Sequence, residues 1–410
     1  MRICPRKTGA SGRVRRGNFI GWRSAAENLL MGSPMKRILP VLAGLLLPVG
    51  LLSAAPLLVY VGGFTSPSSR GIFALRFDAV AGTLSPPILA VETNSPTWLA
   101  LDPSRRHLYA VDSRDGPVSA FAVDAASGRL TLLNQRATGG PGGSSVAQQI
   151  VDGSGRMLIV ADYAGGAICT YPIGDDGSLG ERTARIALTG PPGPIRKRQS
   201  HSYPHSVALS PDSRFAFACD RGLDRIFIYQ IDAARARLTP AAPPFVVVYP
   251  GAGPRHAAFS ADSRFFYLLN ELGNSICAYA YDAGTGHLAL LQNISTLPPN
   301  FSGESVAGEI AIHPNGRFVY VTNRDPGTDN LTVFARDPQT GRLKMLQSLT
   351  SEGDIPRNFA LSPDGRWLLC VNQETNNVAV FGVDPPSGRL ASAHQRVAIE
   401  KPMCVIFCPP

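Results

Sequence analysis

His205, the pair Arg255-His256, Glu309 and Arg357 each open a short apolar segment, whereas Asp162, Asp220-Arg221, Asn270-Glu271, Asn323-Arg324 and Asn372-Gln373 each close one. The interiors of these segments are almost wholly apolar, so imidazole, carboxylate and guanidinium groups are concentrated at segment ends. Brought to one place, they would supply an acid/base pair and fixed cations for a bound polar ligand. Such a set needs no metal or other cofactor. The competing reading is that the same charges pair with one another and fasten neighbouring elements together.

Other chemistries are poorly supported. His201 and His205 have metal-ligand spacing only on a helix, and Pro204 between them argues against one. Gly139-Gly140-Pro141-Gly142-Gly143-Ser144 opens no helix, so it reads as a connection and not as a phosphate cradle. No Gly-x-Ser-x-Gly elbow is present.

The elements that must position these residues form a repeat. Six times between Pro96 and Leu390 the chain runs through an apolar strand, a polar turn that usually carries Arg, a second apolar strand, a loop and a third strand. One unit reads Thr97 to Leu101, Asp102 to Arg106, His107 to Asp112 and Val118 to Asp124; the others restart near Val146, His205, His256, Gly308 and Asn358. Most finish on a hairpin of the type Gly286-His287-Leu288 or Gly341-Arg342-Leu343. Alternating apolar and polar residues punctuated by Gly, Pro and Asp fit antiparallel meanders, and a period of about 50 residues built only from strands is the mark of a β-propeller.

The two ends of the chain hold the parts of a further unit. Leu57 to Gly62 matches a second strand, Gly71 to Asp78 a third, and Pro402 to Phe407 the missing first. The expectation is an all-β, seven-bladed β-propeller of four-stranded antiparallel blades, closed by pairing of the N- and C-terminal segments, which leaves no open sheet edge. In an antiparallel meander the start of the first strand and the end of the second lie at one edge. The polar segment ends should therefore meet at one mouth of a central channel.

The first 55 residues belong to a different argument. Met35-Lys36-Arg37, then Ile38 to Leu52, then Ser53-Ala54-Ala55 has the basic, apolar and small-residue zones of a signal peptide or N-terminal anchor. Residues 1–34 read as a disordered, over-extended leader, 35–55 as the export segment, and 56–410 as a single propeller domain with no membrane span. The protein is expected to be exported, periplasmic or extracellular, and monomeric. Residues 1–37 hold nine Lys or Arg against one acid, so nearly all of the formal net charge of +9 lies in the leader. The basic balance therefore implies no nucleic-acid partner. Arg196-Lys197-Arg198 is the basic cluster that remains, and it reads as a solvated loop, with an anion site as the alternative.

Seven cysteines include Cys169 and Cys277 at equivalent positions of separate units, where they read as small buried hydrophobes outside any disulfide framework. Trp98 and Trp367 read as packing residues.

Tyr203-Pro204-His205, Pro250-Gly251-Ala252-Gly253-Pro254-Arg255-His256, Asn270-Glu271-Leu272 and Val321-Thr322-Asn323-Arg324 give the chain a further property. Across residues 57–408 it resembles the seven-bladed lactonase family, which includes propeller-type 6-phosphogluconolactonases and 3-carboxy-cis,cis-muconate lactonizing enzymes. Tyr320-Val321-Thr322-Asn323 also matches the propeller repeat named after those four letters. The resemblance implies catalytic roles for His205, Arg255, Glu271 and Arg324. Glu271 is expected to be the general base on water, Arg255 and Arg324 to hold the carbonyl oxygen or a substrate carboxylate, and His205 to protonate the leaving ring oxygen. Substrate-binding roles are expected for Gln148, Asp162, His256, Asn270, Glu309, Asn323 and Arg357. The chain departs from the family pattern at Gln148 and Asp162-Tyr163-Ala164-Gly165-Gly166, where a His and an Asn-Tyr-Gly-Gly-Gly run are usual. Losing a His and gaining a carboxylate argues against a phosphorylated substrate, and export fits a non-phosphorylated aldonolactone or another carboxylate-bearing lactone. The partner is thus a small-molecule lactone or sugar acid. The alternatives are an exported propeller that binds a ligand or protein without catalysis, and a muconate-type cycloisomerase.

Overall fold

Segments of about six residues with apolar alternation pair in order as antiparallel meanders, and the computed structural model arranges them as seven blades in a ring. It describes residues 56–409 except 68, 115, 141–144 and 326, so the readings of 1–34 and 35–55 lie outside the described residues. Blade 2 comprises Pro96–Leu101, His107–Asp112, Pro117–Val123 and Leu130–Ala137. Blades 3 to 7 begin at Val146–Val151, Pro204–Leu209, Pro254–Phe259, Val306–Ile312 and Pro356–Leu361. Blade 1 is shared by the two ends of the described chain. Pro402–Cys408 pairs with Leu57–Gly63, with Val61 opposite Val405, and Leu57–Gly63 pairs in turn with Ile72–Asp78. The outer edge of this blade is split into Thr83–Leu84 and Ile88–Val91, both on Ile72–Asp78.

Burial follows position within the blade. The second strands Met157–Asp162, Phe215–Asp220 and Phe265–Asn270 are buried along their whole length, because both of their faces meet neighbouring sheets. Fourth strands such as Leu130–Ala137 are largely exposed. The core therefore lies between blades. Phe217 and Ile228 of blade 4 pack on Phe266, Leu268 and Tyr279 of blade 5, and Tyr267, Leu269 and Ala278 pack on Val319, Val321 and Phe334 of blade 6.

The arginine of the polar turn fastens one blade to the next. Arg214 donates to Ala283 O at 3.2 Å, Arg264 to Gln339 O at 3.1 Å and Arg317 to Pro386 O at 3.2 Å. Each acceptor lies in the next blade's outer hairpin. Those hairpins turn on left-handed glycines, Gly286 at φ +80° and Gly341 at φ +70°, where a Cβ would strike the rings of Phe215 and Phe265.

One irregularity recurs in every blade, and it positions the site. At the start of each first strand the register skips a residue: Pro204 faces Asp220 but Ser206 faces Cys219, and Pro254 faces Asn270 but His256 faces Leu269. The skipped residues are Thr97, Ala147, His205, Arg255 and Arg357, with Gly308-Glu309 in blade 6 and Met403 in blade 1. Proline precedes the skip in five blades, at 96, 204, 254, 356 and 402. A bulge of this kind unpairs one residue and re-aims its side chain.

Candidate active site

In six of the seven blades the skipped residue lines one cavity of about 290 Å³; the Gly308-Glu309 pair of blade 6 does not. Six second strands contribute the residue at or just past their ends, namely Phe64, Ser113, Tyr163, Arg221, Glu271 and Arg324, and Trp98, His256 and Arg198 also reach the lining. Period-two alternation explains the split, since the preceding Asp or Asn must then point away from the cavity.

Glu271 is the centre of the charge network. Its Oε2 lies 3.1 Å from Arg255 Nε, 3.4 Å from Arg324 Nη2 and 3.8 Å from His205 Nε2, and its Oε1 lies 3.5 Å from Arg221 Nε. Glu271, Arg255, Arg221 and Arg324 are all buried. Burial alone would raise the Glu271 pKa, but Arg324, Arg221, Arg255 and Arg357 outweigh it and hold the carboxyl at about 2. A carboxylate so acidic and so enclosed is a poor proton acceptor at neutral pH.

Cations outnumber anions here. Arg198, Arg221, Arg255, Arg324 and Arg357 line the cavity against the single carboxylate of Glu271. Burial and the neighbouring Arg324 lower Arg255 to about 10, which leaves it charged. Arg357 Nε and Arg324 Nε have no hydrogen-bond partner among the described residues. Arg221 donates to the Tyr163 hydroxyl and, at 2.9 Å, to Arg198 O.

Two imidazoles stand beside the arginines. His205 and His256 have ring centroids 5.1 Å apart, and both are held below the ordinary histidine value, by burial first and by Arg255 as well. Both are therefore neutral at neutral pH. The His205 ring also meets Tyr163 at 5.5 Å, and the edge of Trp98 meets His256 at 5.0 Å. His256 Nδ1 contacts Glu309 at 2.9 Å.

The structure thus brings His205, Arg255, His256, Glu271, Arg324 and Arg357 together and sets Glu309 directly behind them. It does not bring the other four expected residues to the cavity. Gln148 spans from blade 3 to blade 4, accepting from Val207 N at 2.8 Å and donating to Val207 O at 3.4 Å. Asp162 is fully buried, pairs with Arg185 at 3.1 Å and accepts from Gly165 N at 3.0 Å. Asn270 donates to Ser275 Oγ at 3.1 Å and Asn323 to Thr296 O at 3.1 Å. Asp162 and Asn270 pin the turns behind their own strands, whereas Gln148 and Asn323 tie to a neighbouring blade. Consequently the carboxylate at 162, although a departure from the family pattern, adds no lining charge.

Trp98 and Trp367 both pack as expected, Trp98 against the cores on either side of blade 2 while it also borders the cavity, and Trp367 by donating to Ala79 O at 2.8 Å and meeting Phe77 edge-on at 5.8 Å. Arg198, read as a solvated loop residue, also reaches the lining. Its loop is anchored by the buried Gln199, which donates to Arg221 O at 2.9 Å and to Asp224 Oδ1 at 2.7 Å. Spacing within the repeat could not reveal it, because the loop lies outside the repeat.

Seven meander blades around a cationic, histidine-flanked cavity define the class, and a family model for the seven-bladed β-propeller lactonases matches residues 58–407. The chain belongs to that lactonase family. It is 33% identical over 350 residues to a 6-phosphogluconolactonase of Bacillus subtilis, covering 85% of this chain and 97% of that protein. The structure of a periplasmic gluconolactonase of Pseudomonas aeruginosa superposes with a TM-score of 0.80 at 34% identity, covering 86% of this chain and 98% of that one. A putative 6-phosphogluconolactonase of Bacteroides fragilis does so with a TM-score of 0.80 at 31% identity, covering 87% and 99%.

Proposed function

We propose that this protein hydrolyses a sugar-type lactone at the Glu271 mouth of the ring. The observation that carries the reading is the convergence of Arg255, Arg324, Arg357 and His205 on one cavity in which five guanidinium groups face one carboxylate. Water attack on a lactone carbonyl creates an oxyanion, and collapse creates a carboxylate, so negative charge grows where the fixed cations stand. A fixed donor at such an oxygen is worth roughly 3 kcal/mol of barrier. The arginines do the polarising, and no metal is needed.

In this reading Glu271 is not the base. It holds Arg255, Arg221 and Arg324 in register and keeps them from repelling one another, while a neutral imidazole handles the proton. His205 serves the leaving ring oxygen. The substrate class is an aldonolactone or a lactone that carries a further anionic group, consistent with the names of the Bacillus and Pseudomonas relatives.

The test is to follow acid release from gluconolactone, phosphogluconolactone and a carboxylated muconolactone with purified protein. Saturable hydrolysis of at least one supports the reading, and rates equal to the uncatalysed ones for all three reject it. Ring closure of a muconate without lactone hydrolysis would point to the cycloisomerase instead.

We also propose export, supported by the residue pattern of 35–55 and by the periplasmic Pseudomonas relative. N-terminal sequencing of the secreted or periplasmic protein tests it; recovery only from the cytoplasm, with residues 1–55 attached, rejects it.

A further inference from the structure

His256 is keyed by a chain of buried groups that the lactonase reading does not use. Its Nδ1 lies 2.9 Å from both oxygens of Glu309, which comes from blade 6. Glu309 is itself fixed: Oε1 accepts from Ile310 N at 2.9 Å, and Oε2 accepts from Asn358 Nδ2 of blade 7 at 2.7 Å. Asn358 Oδ1 in turn accepts from Val405 N of blade 1 at 3.0 Å. Four blades thus converge on one imidazole nitrogen.

The chain dictates a tautomer. Glu309 is buried, yet His256 and Arg255 hold it in the ionised form, and an ionised carboxylate only accepts. The hydrogen therefore sits on His256 Nδ1 and the lone pair on Nε2. That lone pair accepts from Arg255 Nη1 at 3.3 Å, on a residue that lines the cavity. Nothing comparable orients His205, whose buried Nδ1 has no hydrogen-bond partner among the described residues.

We propose that His256 is a catalytic residue that takes the proton of the attacking water, and that Glu309, braced by Asn358, is its positioning residue. The proposal rests on the lactonase reading. Water oxygen bonds to the lactone carbonyl carbon as its proton passes to His256 Nε2, giving an imidazolium beside the Glu309 carboxylate and an oxyanion among the arginines. Collapse breaks the bond from that carbon to the ring oxygen, and the proton returns to this oxygen. One water is consumed, one hydroxy acid is formed, and the imidazole is regenerated.

The charged and titratable groups that face His256 are Glu309 from blade 6, Arg255 from its own strand, Glu271 beyond the neighbouring strand, and His205 from blade 4. Of these Glu309 is the one in contact that raises its basicity most. Replacing Glu309→Gln should cut kcat on a hydrolysed lactone by about 100-fold or more with KM little changed. It should also move the acidic limb of the kcat/KM profile to lower pH by about one unit or more. His256→Ala should lose a similar factor and recover part of it on addition of free imidazole. Melting temperatures close to that of the parent protein confirm folding, and imidazole rescue carries the test if Glu309→Gln does not fold. An unmoved acidic limb, or a His256→Ala protein that keeps its activity, overturns the proposal while leaving lactone hydrolysis standing. A parent protein that opens no lactone overturns both.

Discussion

Arg255 Nε lies 3.1 Å from Glu271 Oε2, and both residues come from adjacent strand ends of a single blade. One is the skipped residue of a bulge and the other the first residue past a strand. Neither would face the cavity if blade 5 paired in unbroken register. The centre of the site is thus a consequence of how a blade begins and ends, and the other blades add Arg221, Arg324, Arg357 and His205 by the same rule.

Glu271→Gln should damage both stability and activity. It leaves Arg221, Arg255, Arg324 and Arg357 without their shared carboxylate, and breaking a buried ion pair from one side costs about 3–5 kcal/mol. A fall in melting temperature, partly reversed by inorganic phosphate, together with at least a tenfold loss of lactone hydrolysis is expected. Calorimetry with and without phosphate checks it.

The same carboxylate should set part of the acid stability. Its folded pKa of about 2 lies below the ordinary 4.5, so its contribution is fully present above pH 4.5 and is lost as pH falls toward 2. Melting temperature followed through that interval should drop more steeply for the parent protein than for Glu271→Gln. Parallel curves would contradict the pairing.

Arg357 should behave in the opposite way. Burial and the nearby Arg324 and Arg255 disfavour its charge, and its Nε has no partner among the described residues, so the fold gains little from it. Arg357→Met should leave the melting temperature unchanged or raise it, while increasing KM for an anionic lactone by about tenfold, the worth of one charge-assisted contact. Steady-state kinetics on a charged and a neutral lactone separate the two effects.

Truncation before Pro402 should abolish cooperative unfolding. Without Pro402–Cys408, the strand Leu57–Gly63 loses its partner, and Val59, Val61 and Leu75 lose Val405 from their shared core with blade 7. A broad melt with dye-accessible apolar surface is expected.

Much of this was legible in the residues and some was not. Alternation and turn residues located every blade, and the split unit was readable because Leu57 to Gly62 had strand character but no first-strand partner nearby. The candidate positions were read one step too broadly. Asp162, Asn270 and Asn323 sit beside the cavity residues Tyr163, Glu271 and Arg324 in sequence, but strand alternation turns them the other way. Gln148 lies one residue past the skipped Ala147 and is likewise turned aside. The bulge itself had a signal, the proline before Thr97, His205, Arg255, Arg357 and Met403, since proline cannot donate within a ladder. Arg198 had none, because an insertion's path over the rim depends on contacts such as Gln199 with Asp224 that no spacing encodes.

The central claim is that the cationic mouth opens lactones. The most direct measurement is the rate of gluconolactone hydrolysis by the purified protein, with His205→Ala and Arg324→Ala run beside it. Saturable catalysis that falls at least tenfold in both variants, with their melting temperatures retained, is the predicted result. Parent rates no faster than buffer, or catalysis untouched by either substitution, would contradict it.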